Sequence, residues 1–147
     1  MVTIPLCQAN LHRGGGKCHH AFDYLKMETI LVVDDEPTVL TLCQRILNLG
    51  GYSVLPASGG EAALRIVAQP RETPIDMALL DVMMPVMNGV ELARRIQKLS
   101  PATKIVLMSG FGPKEIGAVV GQNPYRLIWK PFKTESLLQM IENALAS

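Results

Sequence analysis

Ile30-Leu31-Val32-Val33-Asp34-Asp35-Glu36-Pro37, followed by Val39, Leu42, Cys43, Ile46 and Leu47, decides the fold. Four consecutive apolar residues, most of them β-branched, read as a strand buried on both faces. The run stops at two aspartates. Pro37 suits the first turn of a helix, and the apolar positions after it return at helical spacing, so a helix follows that lays one face on the strand.

The same grammar recurs to the end of the chain. Gly50-Gly51 closes the first helix, and Tyr52–Ala57 reads as a second strand. Ser58 is positioned to cap a second helix whose inward face is Ala63, Leu64 and Val67. Ile75–Leu80 forms a third strand ending at Asp81, and Asn88 caps a third helix carrying Leu92, Ala93, Ile96 and Leu99. Ser100-Pro101 breaks that helix before a fourth strand, Lys104–Met108, which ends at Ser109. Pro113–Val120 is a short fourth helix between breakers, and Arg126–Trp129 is a fifth strand running into Lys130-Pro131. Thr134 caps a last helix built on Leu137, Leu138, Ile141 and Leu145.

Near-continuous apolar strands alternating with amphipathic helices predict an α/β fold, with a parallel sheet covered on both faces. A closed barrel takes about eight strand–helix units, so five predict an open, doubly wound, five-stranded parallel sheet.

Composition narrows the functions available. The chain has 147 residues, enough for one ordinary domain, and 14 Lys and Arg against 13 Asp and Glu leave a net charge of +1. That balance argues against bulk electrostatic capture of nucleic acid or an anionic membrane. No apolar run approaches the roughly 18–20 residues of a membrane-spanning helix, and three cysteines cannot frame a disulfide scaffold. A cytoplasmic domain is expected.

Residues 1–26 read differently. They hold Gly14-Gly15-Gly16, Cys7 and Cys18, and the three histidines His12, His19 and His20, with neither strand nor helix periodicity. A zinc site usually needs two closely spaced ligand pairs, and Cys18-His19-His20 is one cluster only. A flexible N-terminal extension or linker is expected over 1–26, with the domain proper at 27–147.

In an open parallel sheet, ligands bind outside the carboxyl ends of the strands, where the strand order reverses. Asp34 and Asp35 follow the first strand, Asp81 the third, Ser109 the fourth and Lys130 the fifth. Any one of them alone reads as a turn or cap residue. Together they are three carboxylates, a hydroxyl and an ammonium on one edge. Clustered carboxylates repel unless a cation sits among them, and hard oxygen donors on short loops suit Mg²⁺ with a phosphate completing its shell. The hydroxyl and ammonium can serve further phosphate oxygens, which is the electrostatic need of phosphoryl transfer. One carboxylate is then free to form an acyl phosphate.

These residues resemble those of the receiver domains of two-component response regulators, of the chemotaxis-regulator type. The resemblance runs from Met27 to Ser147. It is carried by Ile30–Pro37, by Asp81-Val82-Met83-Met84-Pro85-Val86-Met87-Asn88-Gly89, by Met108-Ser109-Gly110 and by Lys130-Pro131-Phe132. It implies a flavodoxin-like arrangement of five βα units and a phosphoacceptor at Asp81, served by a histidine kinase or a histidine phosphotransfer protein. It further implies Mg²⁺ held by the Asp35 and Asp81 side chains and the Met83 carbonyl, with Asp34 acting mainly through water. Ser109 would be the switch hydroxyl, Lys130 the phosphoryl partner next to a cis Lys130–Pro131 peptide, and Pro85 and Gly89 the residues shaping the acceptor loop.

The sequence departs from that pattern at one signalling position. Receivers of this type usually carry Tyr or Phe three residues before the lysine, and here Leu127 stands there, with Tyr125 and Trp129 to either side. A changed output surface around Leu127 and Trp129 is expected, with the pocket chemistry intact. The residues after Phe132 suffice for one helix, so no direct nucleic-acid contact is expected. An unidentified output partner protein is expected instead, and a homodimer remains open. So does the choice between a stand-alone regulator and the receiver of a hybrid kinase. The rival readings are a scaffold that binds without phosphorylation and an aspartyl-phosphate phosphatase. The phosphatase would need a second acid two residues after its nucleophile, and Met83 occupies that place after Asp81.

Overall fold

The computed structural model describes residues 27–121 and 125–147. The extension read from residues 1–26 lies outside these residues. Five strands, β1 (Thr29–Val33), β2 (Ser53–Ala57), β3 (Met77–Asp81), β4 (Lys104–Ser109) and β5 (Arg126–Trp129), alternate with five helices. The helices are α1 (Pro37–Leu49), α2 (Gly60–Ala68), α3 (Gly89–Leu99), α4 (Pro113–Val120) and α5 (Thr134–Ala146). All strand pairs are parallel, in the order β2-β1-β3-β4-β5. The chain therefore winds outward from β1 in one direction and from β3 in the other, as the doubly wound reading requires.

Alternation along each strand divides the interior in two. Leu31, Val33, Ala78, Leu80, Ile105 and Leu107 face α2, α3 and α4, where Ala63, Leu92, Ala93, Ile96 and Ile116 meet them. Ile30, Val32, Met77, Leu79, Val106 and Met108 face α1 and α5, against Cys43, Ile46, Leu47, Leu137 and Ile141. Both faces of β1, β3 and β4 are thus dry, which is why these strands lack a polar period. Pro56, which has no N–H for a sheet ladder, falls in β2 at one edge of the sheet.

Several local expectations are corrected. Leu42 and Leu99, assigned inward, are 49% and 56% exposed. Leu42 lies to one side of the Cys43–Ile46–Leu47 stripe, and Leu99 is the last residue of its helix. Ser58 does not cap α2, whose N-cap is Gly59, and Thr134 is already helical behind the N-cap Lys133. Neither helix has a side-chain cap bond, so packing of their inward faces holds their starts. Asn88 does cap α3, its Oδ1 accepting the Glu91 N–H at 2.9 Å. At the amino end of β4, Lys104 donates to the backbone carbonyls of Leu145 (3.0 Å) and Ser147, closing the last turn of α5. Among the described residues no helix is long and apolar enough to cross a membrane.

Candidate functional site

β1 and β3 are neighbours in the middle of the sheet, and the chain diverges on either side of them. Their carboxyl ends deliver Asp34, Asp35 and Asp81 to one spot. One oxygen from each lies within 4.8 Å of the others, Asp34 and Asp81 buried and Asp35 exposed. Lys130, just past β5, reaches back across the sheet edge. Its Nζ donates to Asp34 Oδ2 at 2.7 Å and to Asp81 Oδ1 at 3.3 Å.

Asp34 is enclosed (0% exposed), and both its oxygens are used: Oδ1 accepts the Glu36 N–H at 2.9 Å while Oδ2 takes the ammonium. The turn reading and the site reading of this aspartate therefore hold together. Glu36 was not singled out from the sequence, and an aspartate two residues before the helix N-cap was the available signal. Burial, then the neighbouring Asp34 charge, pushes Asp81 up to about 6, and Lys130 opposes that shift without cancelling it. For Lys130, burial alone would lower the pKa; the bonds to Asp34 and Asp81 and their charges outweigh it and raise it. No buried side-chain nitrogen or oxygen among the described residues lacks a partner.

Ser109 ends β4 on the same edge and is fully buried. Its hydroxyl accepts the Phe111 N–H at 3.0 Å and donates to the Phe111 carbonyl at 3.4 Å, so it is held by its own loop and not by the carboxylates. The Lys130 N–H donates to the Ser109 carbonyl at 2.7 Å, which ties the lysine's backbone to that strand end, and the Lys130–Pro131 peptide is cis. Leu127 is half-buried against the α2–α4 side of the core, and Trp129 is 41% exposed. Tyr125 donates to Gln97 Oε1 at 2.6 Å, joining the start of β5 to α3.

The loop from Asp81 to α3 is shaped by two close fits. Met87 N–H donates to the Pro85 carbonyl at 2.8 Å around Val86, whose φ of 71° is left-handed and uncommon for a β-branched residue. Gly89 N–H donates to the Val82 carbonyl at 2.8 Å, and a Cβ on Gly89 would sit 2.3 Å from the Asp81 carbonyl oxygen. That backbone cannot yield without moving the loop that carries Asp81. Gly89→Ala is expected to cost about 2–3 kcal/mol of stability, read from urea unfolding at constant slope. A loss under about 0.5 kcal/mol would show that the loop relaxes freely.

The donor set suits a hard divalent cation. All candidate ligand atoms are carboxylate oxygens, two on buried side chains and one on the solvent side, which leaves room for water in the shell of a Mg²⁺ ion.

Comparison with known proteins agrees with this geometry. The sequence profile described as "Response regulator receiver domain" matches residues 30–142. The chain is 40% identical over 92 residues to the autoinducer 1 sensor kinase/phosphatase LuxN of Vibrio campbellii, covering 62% of this chain and 10% of that protein. It is 35% identical over 119 residues to the uncharacterized transcriptional regulatory protein YkoG of Bacillus subtilis, covering 79% of this chain and 50% of that protein. The chain thus spans a tenth to a half of the length of these curated relatives. Among solved structures it resembles the CheY-like receiver domain protein of Methanospirillum hungatei, with a TM-score of 0.73 and 28% identity over 82% of this chain and 95% of that one. It also resembles the receiver domain of the hybrid histidine kinase CckA, with a TM-score of 0.67 and 28% identity over 80% of this chain and 98% of that one. A doubly wound sheet, an acidic cluster at its switch point and a profile match over most of the chain lead to one assignment: the chain belongs to the response regulator receiver domain family, the phosphoacceptor domains of two-component signalling.

Proposed function

We propose that Asp81 is the phosphoacceptor of this receiver, loaded by a histidine kinase or a histidine phosphotransfer protein. The observation that carries the assignment is the buried Asp81 carboxylate at the centre of the acidic cluster, 3.3 Å from the Lys130 ammonium. With its pKa near 6, Asp81 is mostly ionised at neutral pH and can act as a nucleophile. A carboxylate oxygen attacks phosphorus, the P–N bond of the phosphohistidine breaks, and its electron pair stays on the imidazole nitrogen.

Lys130 then moves from bridging two carboxylates to sharing its charge with a phosphoryl oxygen. Ser109 rotates its hydroxyl from the Phe111 backbone toward another. Asp35, Asp81 and the Met83 carbonyl are the proposed holders of Mg²⁺, with Asp34 acting mainly through water. When bound, that ion neutralises charge on the carboxylates and the phosphoryl oxygens. Pro85, Gly89 and Pro131 fix the loops that carry Asp81 and Lys130. Leu127 and Trp129 form part of the surface an output protein reads, and the domain is proposed to work in the cytoplasm, as residues 27–147 of its chain. The role is that of a phosphorylated switch, not of an enzyme acting on a substrate of its own.

Intact mass after incubation with Mg²⁺ and acetyl phosphate tests this reading. One added phosphoryl group is expected for the native chain and none for Asp81→Asn. Uptake by Asp81→Asn at the native level would move the acceptor elsewhere. Met83 and Phe111, each two residues beyond Asp81 and Ser109, cannot orient an attacking water by a side-chain hydrogen bond. The acyl phosphate should therefore persist for minutes, and loss within seconds would contradict this.

A further inference from the structure

On the α2–α4 side of the sheet, at the opposite end of the helices from the acidic cluster, α2 and α3 flank a groove of about 460 Å³. Its floor is apolar, made by Leu64, Ala68 and the exposed Leu99, and its rim is Arg65, Arg95 and Lys98. Arg95 is paired with Glu91 at 3.0 Å, but no ion pair reaches Arg65 or Lys98 among the described residues. An exposed apolar strip whose rim carries two unpaired cations, Arg65 and Lys98, is an arrangement that protein-binding surfaces share.

We infer that this groove docks an acidic amphipathic segment of a partner protein, a helix whose apolar residues lie on Leu64, Ala68 and Leu99 while its carboxylates meet Arg65 and Lys98. Charge decides among the occupants. A second copy related by a two-fold axis would lay this basic rim against itself, and like charges would repel. The chain's own residues 1–26 carry Arg13, Lys17 and Lys26 against Asp23, so they share the sign of the rim. An acidic helix complements both the charge and the apolar floor. The site is separate from the phosphoacceptor, and α3 connects the two: its first residue, Gly89, packs on the Asp81 backbone, and its last, Leu99, lines the groove.

The probe is a synthetic helix with leucines at i and i+4 and glutamates elsewhere, titrated into the isotope-labelled chain and followed by amide shifts. Shifts confined to residues 64–68 and 95–99 are expected. The same leucine helix with lysines in place of glutamates should leave these amides still, as should phosphatidylglycerol vesicles. Arg65→Glu with Lys98→Glu should weaken the acidic helix about tenfold, and Leu99→Ser should weaken it too. Native urea unfolding and native phosphoryl uptake would show these variants folded. No shift with the acidic helix, equal binding of the lysine helix, or preferential binding of the vesicles would overturn the proposal.

Discussion

Lys130→Met is expected to destabilise the metal-free domain by about 3–4 kcal/mol at neutral pH. Lys130 is the cation bonded to both buried carboxylates, at 2.7 Å to Asp34 and 3.3 Å to Asp81. Removing it leaves Asp34, with no exposed surface, holding one N–H bond from Glu36 and facing the negative Asp81. A buried charge stripped of its partner costs more than the pair contributed, because the desolvation penalty stays when the attraction is gone. Asp34→Asn in the Lys130→Met background should therefore recover much of the loss, and the double-mutant cycle should depart from additivity by more than 1 kcal/mol. Lys130 holds the Asp81 pKa down, so without it Asp81 keeps its proton to a pH above the native value of about 6, and the deficit should shrink as pH falls toward 6. Urea unfolding of the four proteins, without and with Mg²⁺, measures all of this. Additive losses would mean that the lysine stabilises by its packing and not by its charge.

Asp81→Asn should stabilise the same metal-free domain by about 2–3 kcal/mol above pH 6, the size set by a pKa carried from the ordinary carboxylate range to about 6. The sign follows from proton counts. Between pH 4 and 6 the folded state keeps a proton on Asp81 that the unfolded chain has already released, so stability falls as pH rises through that window. Above it the penalty is complete and constant. Below pH 4 both states are protonated, so the native chain and Asp81→Asn should be equally stable there. Their stability difference should open between pH 4 and 6 and then level off. Mg²⁺ at pH 8 should raise the melting temperature of the native chain more than that of Asp81→Asn. A variant no more stable than the native chain at pH 8 would show that Lys130 already compensates the acceptor's charge in full.

The two effects have opposite signs at one site. Removing the lysine destabilises the fold, while removing one carboxylate stabilises it. A proposed acceptor held at an energetic cost is what is expected of a position that serves chemistry and not packing.

How much of this could be read from residues alone depends on how local the cause is. Ile30–Val33 and Lys104–Met108 announce buried strands because burial on both faces writes itself into consecutive positions. Asp34, Asp35, Asp81 and Lys130 were legible as one cluster, with Ser109 on the same edge, because a parallel sheet brings every strand's carboxyl end together. The pairing of Lys130 with Asp34 was not legible, since 96 residues separate them and only the packed fold sets their distance. The hold of the Phe111 backbone on Ser109 depends on loop geometry that residue types do not specify. Ser58 and Thr134 were assigned as caps on residue type, yet Gly59 and Lys133 take those places because strand and loop lengths set where each helix begins. Leu42 and Leu99 have apolar side chains at helical spacing, but such spacing covers a wider arc than the sheet can bury.

The division of the interior by the sheet has a consequence for how cheaply parts of the molecule can rearrange. α1 and α5 share one side and together bury six side chains. On the other side α4 is a lodger, eight residues with one buried side chain, Ile116, and Val119 and Val120 only partly buried beside it. Re-docking α4 would expose little apolar surface and would leave the α1–α5 face, on the far side of a wall of backbone, untouched. α4 is therefore the element whose displacement should cost the fold least, while α3 on the same side keeps its own buried face.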